Sequence, residues 1–180
     1  MQFIRDRFIE LQAESSQEEL DLHFVTSCSN KDITLDDVEF MVYNGANPRS
    51  HDDLAFIHSC ASTDINIPLF FINNCGADIH SQNDKAVRYA LLYVRNEICK
   101  MLVDNGVIIS DEVIKSIVAT LQYDSFQLLL DVGINPERIA KIFFDYNFNK
   151  THSEELFMML KLLFDFGINF NQIIAERIDA

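Results

Sequence analysis

The triplet His51-Asp52-Asp53 has the residue types for metal chemistry, because a histidine beside carboxylates can hold a divalent cation and activate a water on it. A working site of that kind takes several further His or Asp ligands carried on helices, and no such set accompanies the triplet. It sits just before an apolar helical segment, where polar residues and a helix N-cap are expected anyway, so no metal and no cofactor is assigned. A second chemistry would pair Cys28, Cys60 or Cys75 as nucleophile with His23, His58 or His80 as base, but no local nucleophile motif surrounds any of them. Cys28, Cys60, Cys75 and Cys99 are also too far apart for paired metal-ligand hairpins. Their apolar neighbours point to buried free thiols in a reducing compartment, with a disulfide or zinc site as the alternative. No catalytic residue is assigned, and the chain is expected not to be an enzyme.

The bulk properties exclude other classes. The formal net charge of −14, with no local Lys/Arg cluster, repels phosphate backbones and argues against a nucleic-acid partner. The same charge suits a protein partner with a basic surface, and it also suits a plain solvated exterior. No apolar run approaches the roughly 18 to 20 residues of a membrane span, and acid follows at once after Met1-Gln2-Phe3-Ile4-Arg5 instead of a signal-peptide core. A cytoplasmic protein is expected, and a monomer rather than a dimer. The run Phe143-Phe144-Asp145-Tyr146-Asn147-Phe148 carries more rings than one helix face can bury. Tyr146 and Phe148 either fold over the last helix pair or form an exposed apolar patch.

The elements that position these residues are marked by glycine. Gly45, Gly76, Gly106, Gly133 and Gly167 are all the glycines in the chain, spaced 31, 30, 27 and 34 residues apart. Such a period is the signature of a repeat array. Four residues before each stands Met41, Ile72, Leu102, Leu129 or Leu163, and seven before stands Val38, Leu69, Cys99, Phe126 or Leu160. That spacing is the buried stripe of a helix, and a glycine directly after it supplies the left-handed backbone of a helix C-terminal cap. With every glycine committed to a helix end, none remains for a phosphate-cradling loop.

Start signals complete the helix pairs. Ser16 with Glu19 and Thr34 with Asp37 have capping-box spacing; Ser110 precedes Asp111-Glu112, and Asn135-Pro136 places proline at a first helical position. Asn96, Asp124 and Ser153 are read as further N-caps. The resulting map has an N-terminal capping helix over 2–13, then pairs over 17–29 with 35–44, 53–61 with 67–75, 84–93 with 97–105, 111–120 with 125–132, and 136–146 with 154–166. A last helix over 170–178 stands as a half-repeat. If Phe170, Ile173 and Ile174 pack inward while Gln172 and Glu176 face water, that helix is a cap; an apolar outer face would instead imply missing repeats or a dimer.

Two segments carry a family resemblance. Lys85-Ala86-Val87-Arg88-Tyr89-Ala90, leading to Asn96-Glu97-Ile98-Cys99-Lys100-Met101-Leu102-Val103-Asp104-Asn105-Gly106, resembles the ankyrin repeat, whose second helix commonly reads E-[IV]-V-K-L-L-L-x-x-G. Ala55 to Ala61, leading to Gly76-Ala77-Asp78, places His58 on the histidine of that family's T-P-L-H, and Gly45-Ala46-Asn47 repeats the ending. The style of the copies is similar to divergent ankyrin proteins of large DNA viruses of amoebae. The family's Thr-Pro is missing throughout, and the loops after Gly106 and Gly133 are short. The resemblance implies an all-α, ankyrin-like α-solenoid of about five repeats in a single domain over 1–180, with hairpin fingers after Gly45 and Gly76.

It also implies function. An ankyrin array is a non-catalytic adaptor whose concave face and fingers contact a protein partner, here a host protein if the viral likeness holds. The family's variable contact positions fall on Arg49, His51, Asp52, Leu54, Ser62 and Thr63 in one copy. In the next they fall on Ser81, Gln82, Asp84, Leu92, Tyr93 and Arg95. Tyr93 and Arg95 are the types that most often dominate interface energetics. The alternatives are a small-ligand binder or enzyme using the concave groove, and the recognition part of a longer protein.

Overall fold

The computed structural model describes residues 2–147 and 154–178; Ser153 and Phe148, singled out above, lie outside the described residues. Among the described residues there are twelve helices and no strand. They are α1 (Gln2–Glu14), α2 (Gln17–Cys28), α3 (Leu35–Tyr43), α4 (Ser50–Ser59), α5 (Asn66–Cys75), α6 (Ser81–Leu92), α7 (Asn96–Asp104), α8 (Asp111–Thr120), α9 (Tyr123–Asp131), α10 (Pro136–Asn147), α11 (Glu154–Asp165) and α12 (Phe170–Ile178). None is long and apolar enough to cross a membrane. The chain divides into two compact units, Met1–Val107 and Ile108–Ala180.

In the first unit α2 packs on α4 and α4 on α6, while α3 packs on α5, so first and second helices form separate layers. The core between them is aromatic: Phe71 of α5 lies 6.0 Å from Phe24 of α2 and 6.4 Å from Phe56 of α4, ring centre to ring centre. Helix α1 packs on α2 and α3, where the Arg5 guanidinium meets the buried Asp37 carboxylate at 2.5 Å. In the second unit α8 packs on α9 and α10, and α9 on α11. Its aromatic run sorts itself by register: Phe143 is buried against Phe126 at 5.6 Å, and Phe144 bridges from Phe143 to Phe170 of α12, again at 5.6 Å. Tyr146 is 48% exposed. On α12, Ile173 is buried and Gln172 is exposed; the side chains of Ile174 and Glu176 lie outside the described residues.

All five glycines hold a positive φ, between 66° and 101°. Four of them close a helix in the same way. The N–H after the glycine donates to the carbonyl of the stripe residue four before it, Ala46 to Met41, Val107 to Leu102, Ile134 to Leu129 and Ile168 to Leu163, at 3.0–3.2 Å. The glycine's own N–H donates to the residue three before it. This is the Schellman closure, which satisfies carbonyls the helix leaves unpaired.

Gly76 differs, and the stripe read from sequence is displaced there. Ala77 donates to Phe71, one residue further back, and Phe71 is buried where Ile72 and Leu69 are half-exposed. One extra residue at the end of α5 widens the last turn and moves the buried position from four to five before the glycine.

The start signals divide similarly. Ser16–Glu19 and Thr34–Asp37 form reciprocal capping boxes, Ser110 accepts from Val113, and Asn135 accepts from Glu137 and Arg138. Asn96 and Asp124 are not N-caps: Arg95 and Gln122 hold those positions without side-chain cap bonds. Hairpin fingers are also not formed after Gly45 and Gly76; the chain turns directly into α4 and α6 through a different device.

Candidate functional site

The predicted contact residues separate to the two ends of α4 and α6. At the N-terminal ends, His51, Asp52 and Asp53 all have φ between 53° and 60°, and Gln82, Asn83 and Asp84, 31 residues later, have φ between 52° and 58°. Each is a turn of left-handed backbone preceding right-handed helix. An L-residue held so costs roughly 1–2 kcal/mol, and Asn, Asp and His bear it best. The turns persist because their polar groups are tied together.

Asp53, almost fully buried, accepts from Arg49 Nη2 at 3.0 Å, from Arg49 Nε, and from the Asp78 N–H at 3.3 Å, while Arg49 Nη1 donates to the Gly76 carbonyl. One helix pair earlier, Gln17 Nε2 donates to Asp21 Oδ1 at 2.8 Å and to the Gly45 carbonyl at 2.9 Å, and Asn47 N–H donates to the same Asp21 oxygen at 2.8 Å. One pair later, His80 Nδ1 lies 2.8 Å from Asp84 Oδ1. Between the turns, Ser81 Oγ donates to the Asp52 carbonyl, and Gln82 Nε2 reaches the His51 and Asp52 carbonyls at 2.9 and 3.0 Å. Arg49, Ser81, Gln82 and Asp84 thus form an internal ladder through their side chains, and His51 and Asp52 join it through their backbone carbonyls while their side chains stay exposed. The His51-Asp52-Asp53 triplet belongs to this ladder.

The C-terminal ends of α2, α4 and α6 are built differently. A cleft of about 180 Å³ lies there, lined by Cys28, Ser29, Asn30 and Lys31 after α2, by His58, Ala61 and Ser62 at α4, and by Tyr89, Tyr93 and Arg95 at α6. His58 is placed by its Nδ1, 3.2 Å from the Val25 carbonyl, and stacks on Tyr89 with ring centres 5.7 Å apart and planes 22° apart. Tyr89 continues to Tyr93 at 6.1 Å, and Tyr93 is 53% exposed. Arg95 Nε donates to the Ala61 carbonyl at 2.7 Å. On the far side of Arg95 a shallower, open depression takes in Ser62, Thr63, Val94 and Glu97.

The bend between Tyr93 and Arg95 is unusual. Val94 has φ 55°, and Arg95 N–H donates to the Ala90 carbonyl five residues back, so a β-branched residue occupies the place that glycine takes in the four Schellman closures. Left-handed valine is a genuine outlier, and such strain persists where surrounding structure or function demands it.

No family model, no curated protein and no solved structure matches this chain. The site therefore rests on its own geometry. Of the predicted contact set, the structure brings Ser62, Thr63, Tyr93 and Arg95 together, gathers the ladder residues elsewhere, and leaves Leu54 and Leu92 half-buried. Tyr89, Lys31 and Asn30 were not in that set. The available signal was register: Tyr89 follows His58 by 31 residues, as Tyr93 follows Ser62, and Tyr89 and Tyr93 are one helical turn apart.

Cys28 and His58 line the same cleft, but burial pushes the Cys28 thiol far up, the reverse of what a thiolate nucleophile needs. Burial likewise raises Cys60 and Cys75, and lifts Cys99 to about 12. All four cysteines are free.

Proposed function

We propose that this chain is a non-catalytic protein-recognition module of the ankyrin-like α-solenoid kind, and that the cleft at the C-terminal ends of α2, α4 and α6 is its contact surface. The observation that carries the reading is the ring series His58–Tyr89–Tyr93, ending in a half-exposed tyrosine beside a pinned arginine. Tyrosine offers large contact area at little entropic cost, arginine held by the Ala61 carbonyl offers directed donors, and both types dominate interface energetics. Support for the architecture comes from the paired helix layers within each unit and from glycine closures that recur near every thirty residues. The four free thiols, three of them buried, fit a reducing compartment such as the cytoplasm. A viral source and a host partner belong to the same reading and rest on the resemblance of residues 85–106.

A small-ligand site or an enzyme is the competing reading. The cleft's volume, about 180 Å³, is below the roughly 300–1,000 Å³ of sites that enclose metabolites, and it favours one or two side chains of a partner instead. Quantitative affinity capture from the native cell, comparing wild type with Tyr93→Ala plus Arg95→Glu, tests the proposal. Loss of specific partners by a folded double mutant is expected; retention of every partner would defeat the assigned surface, and turnover of a small substrate by pure protein would defeat the module reading.

A further inference from the structure

The charge around this cleft runs opposite to that of the whole protein. The chain carries a net charge of −14, yet among the described residues that line the cleft there are two cations, Lys31 and Arg95, one histidine and no carboxylate. Asp32 and Asp64 stand close in sequence to lining residues and Glu97 lies in the depression on the far side of Arg95, and none of the three lines the cleft. Five cations elsewhere in the described residues are ion-paired, Arg5 with Asp37, Arg7 with Glu10, Arg49 with Asp53, Lys115 with Glu112 and Arg138 with Asp111, and what sets Lys31 and Arg95 apart from the other unpaired ones is that they share one cleft. Lys31 and Arg95 have no ion-pair partner among the described residues.

The helix ends nearby account for only part of this charge. Helix C-termini attract cations, and the carbonyls concerned are met by His58 at Val25 and by Arg95 Nε at Ala61. A guanidinium has five N–H donors, and this bond uses one of them; the ammonium of Lys31 adds three more. Cationic donors open to solvent beside a stacked ring wall suit a carboxylate carried next to an apolar or aromatic side chain.

We infer that the cleft takes an acidic peptide segment of a partner, a Glu or Asp carboxylate meeting Lys31 and Arg95 while its apolar neighbour lies on Tyr89 and Tyr93. This rests on the recognition reading above and reverses the expectation, drawn from net charge alone, of a basic partner surface. A field that is negative overall and positive at one spot also confers selectivity, since acidic segments gain only where they dock in register.

The test uses the full chain and three pools of immobilised short peptides sharing a central phenylalanine flanked by glutamates, by glutamines or by lysines, with the other positions randomised. The glutamate pool should be preferred, its binding should weaken with added salt, and Lys31→Glu should lower it by about tenfold while leaving thermal stability unchanged. Lys161→Glu, an exposed change on α11 in the other unit, should leave binding as it was. Equal capture by all pools, preference for lysine, no capture by any pool, or indifference to Lys31→Glu would each overturn the inference. If cellular partners are still lost by the Tyr93/Arg95 double mutant, the recognition surface stands and only its acidic specificity falls.

Discussion

The two ends of α4 and α6 use similar polar residues to opposite effect. At the N-terminal ends, carboxylates, amides and a guanidinium are consumed in holding left-handed turns against each other and against the following glycine carbonyl. At the C-terminal ends, two cations and a half-exposed tyrosine keep donors and ring surface in reserve. An exposed polar residue is therefore a poor guide to contact by itself. Whether its hydrogen bonds are already spent inside the molecule separates scaffold from surface.

That contrast predicts a stability effect at one end and a binding effect at the other. The largest stability loss should come from Asp53→Ala, which strips the acceptor from Arg49 and from the Asp78 N–H in a buried spot; about 2–3 kcal/mol is expected by denaturant titration, discounted for the half-exposed arginine. A change within experimental scatter would show that the ladder is ornamental. At the opposite end, Tyr93→Ala should cost about tenfold or more in partner affinity, yet shift stability by no more than about 0.5 kcal/mol.

Smaller effects sharpen the account of the frame. Gly106→Ala meets open space, so its cost is the left-handed backbone alone, about 1 kcal/mol, and Gly106→Asn should cost less. Acid should act on the first unit through Asp37. Burial by itself raises that carboxyl, but the Thr34 hydroxyl and the Arg5 guanidinium outweigh it and hold the folded value below the ordinary range. The stability this confers is present above about pH 4 and is lost as pH falls through the folded value. In Asp37→Asn that part of the acid dependence should vanish from denaturant midpoints measured across pH; an unchanged profile would remove Asp37 from the account.

Much of the frame was legible because it depends on local rules. Glycine after an apolar stripe, Ser16 before Glu19 and proline after Asn135 each act within one helical turn, and the helices form where those signals place them. Gly76 shows the limit: its Gly-Ala-Asp ending looks the most regular, yet the widened turn of α5 shifts the buried residue from Ile72 to Phe71, which only packing against Phe24 and Phe56 decides. The left-handed turns were invisible for a related reason. His and Asp tolerate positive φ and Arg49 ties to Asp53 locally, but those residue types alone do not call for three such values in a row; further bonds come from Ser81 and Gln82, some thirty residues away. The cleft was half legible: Ser62, Tyr93 and Arg95 fall on the contact positions that the family resemblance implies, Tyr89 was signalled only by its register with His58, and Lys31 is brought in by the fold.

The most direct test of the division between scaffold and surface measures stability and partner capture together for Gln82→Ala and Tyr93→Ala. Gln82→Ala should lower stability, by about 1 kcal/mol, and leave capture intact, whereas Tyr93→Ala should do the reverse. A folded Gln82→Ala protein that loses its partner, or a Tyr93→Ala protein that keeps it, would contradict the account.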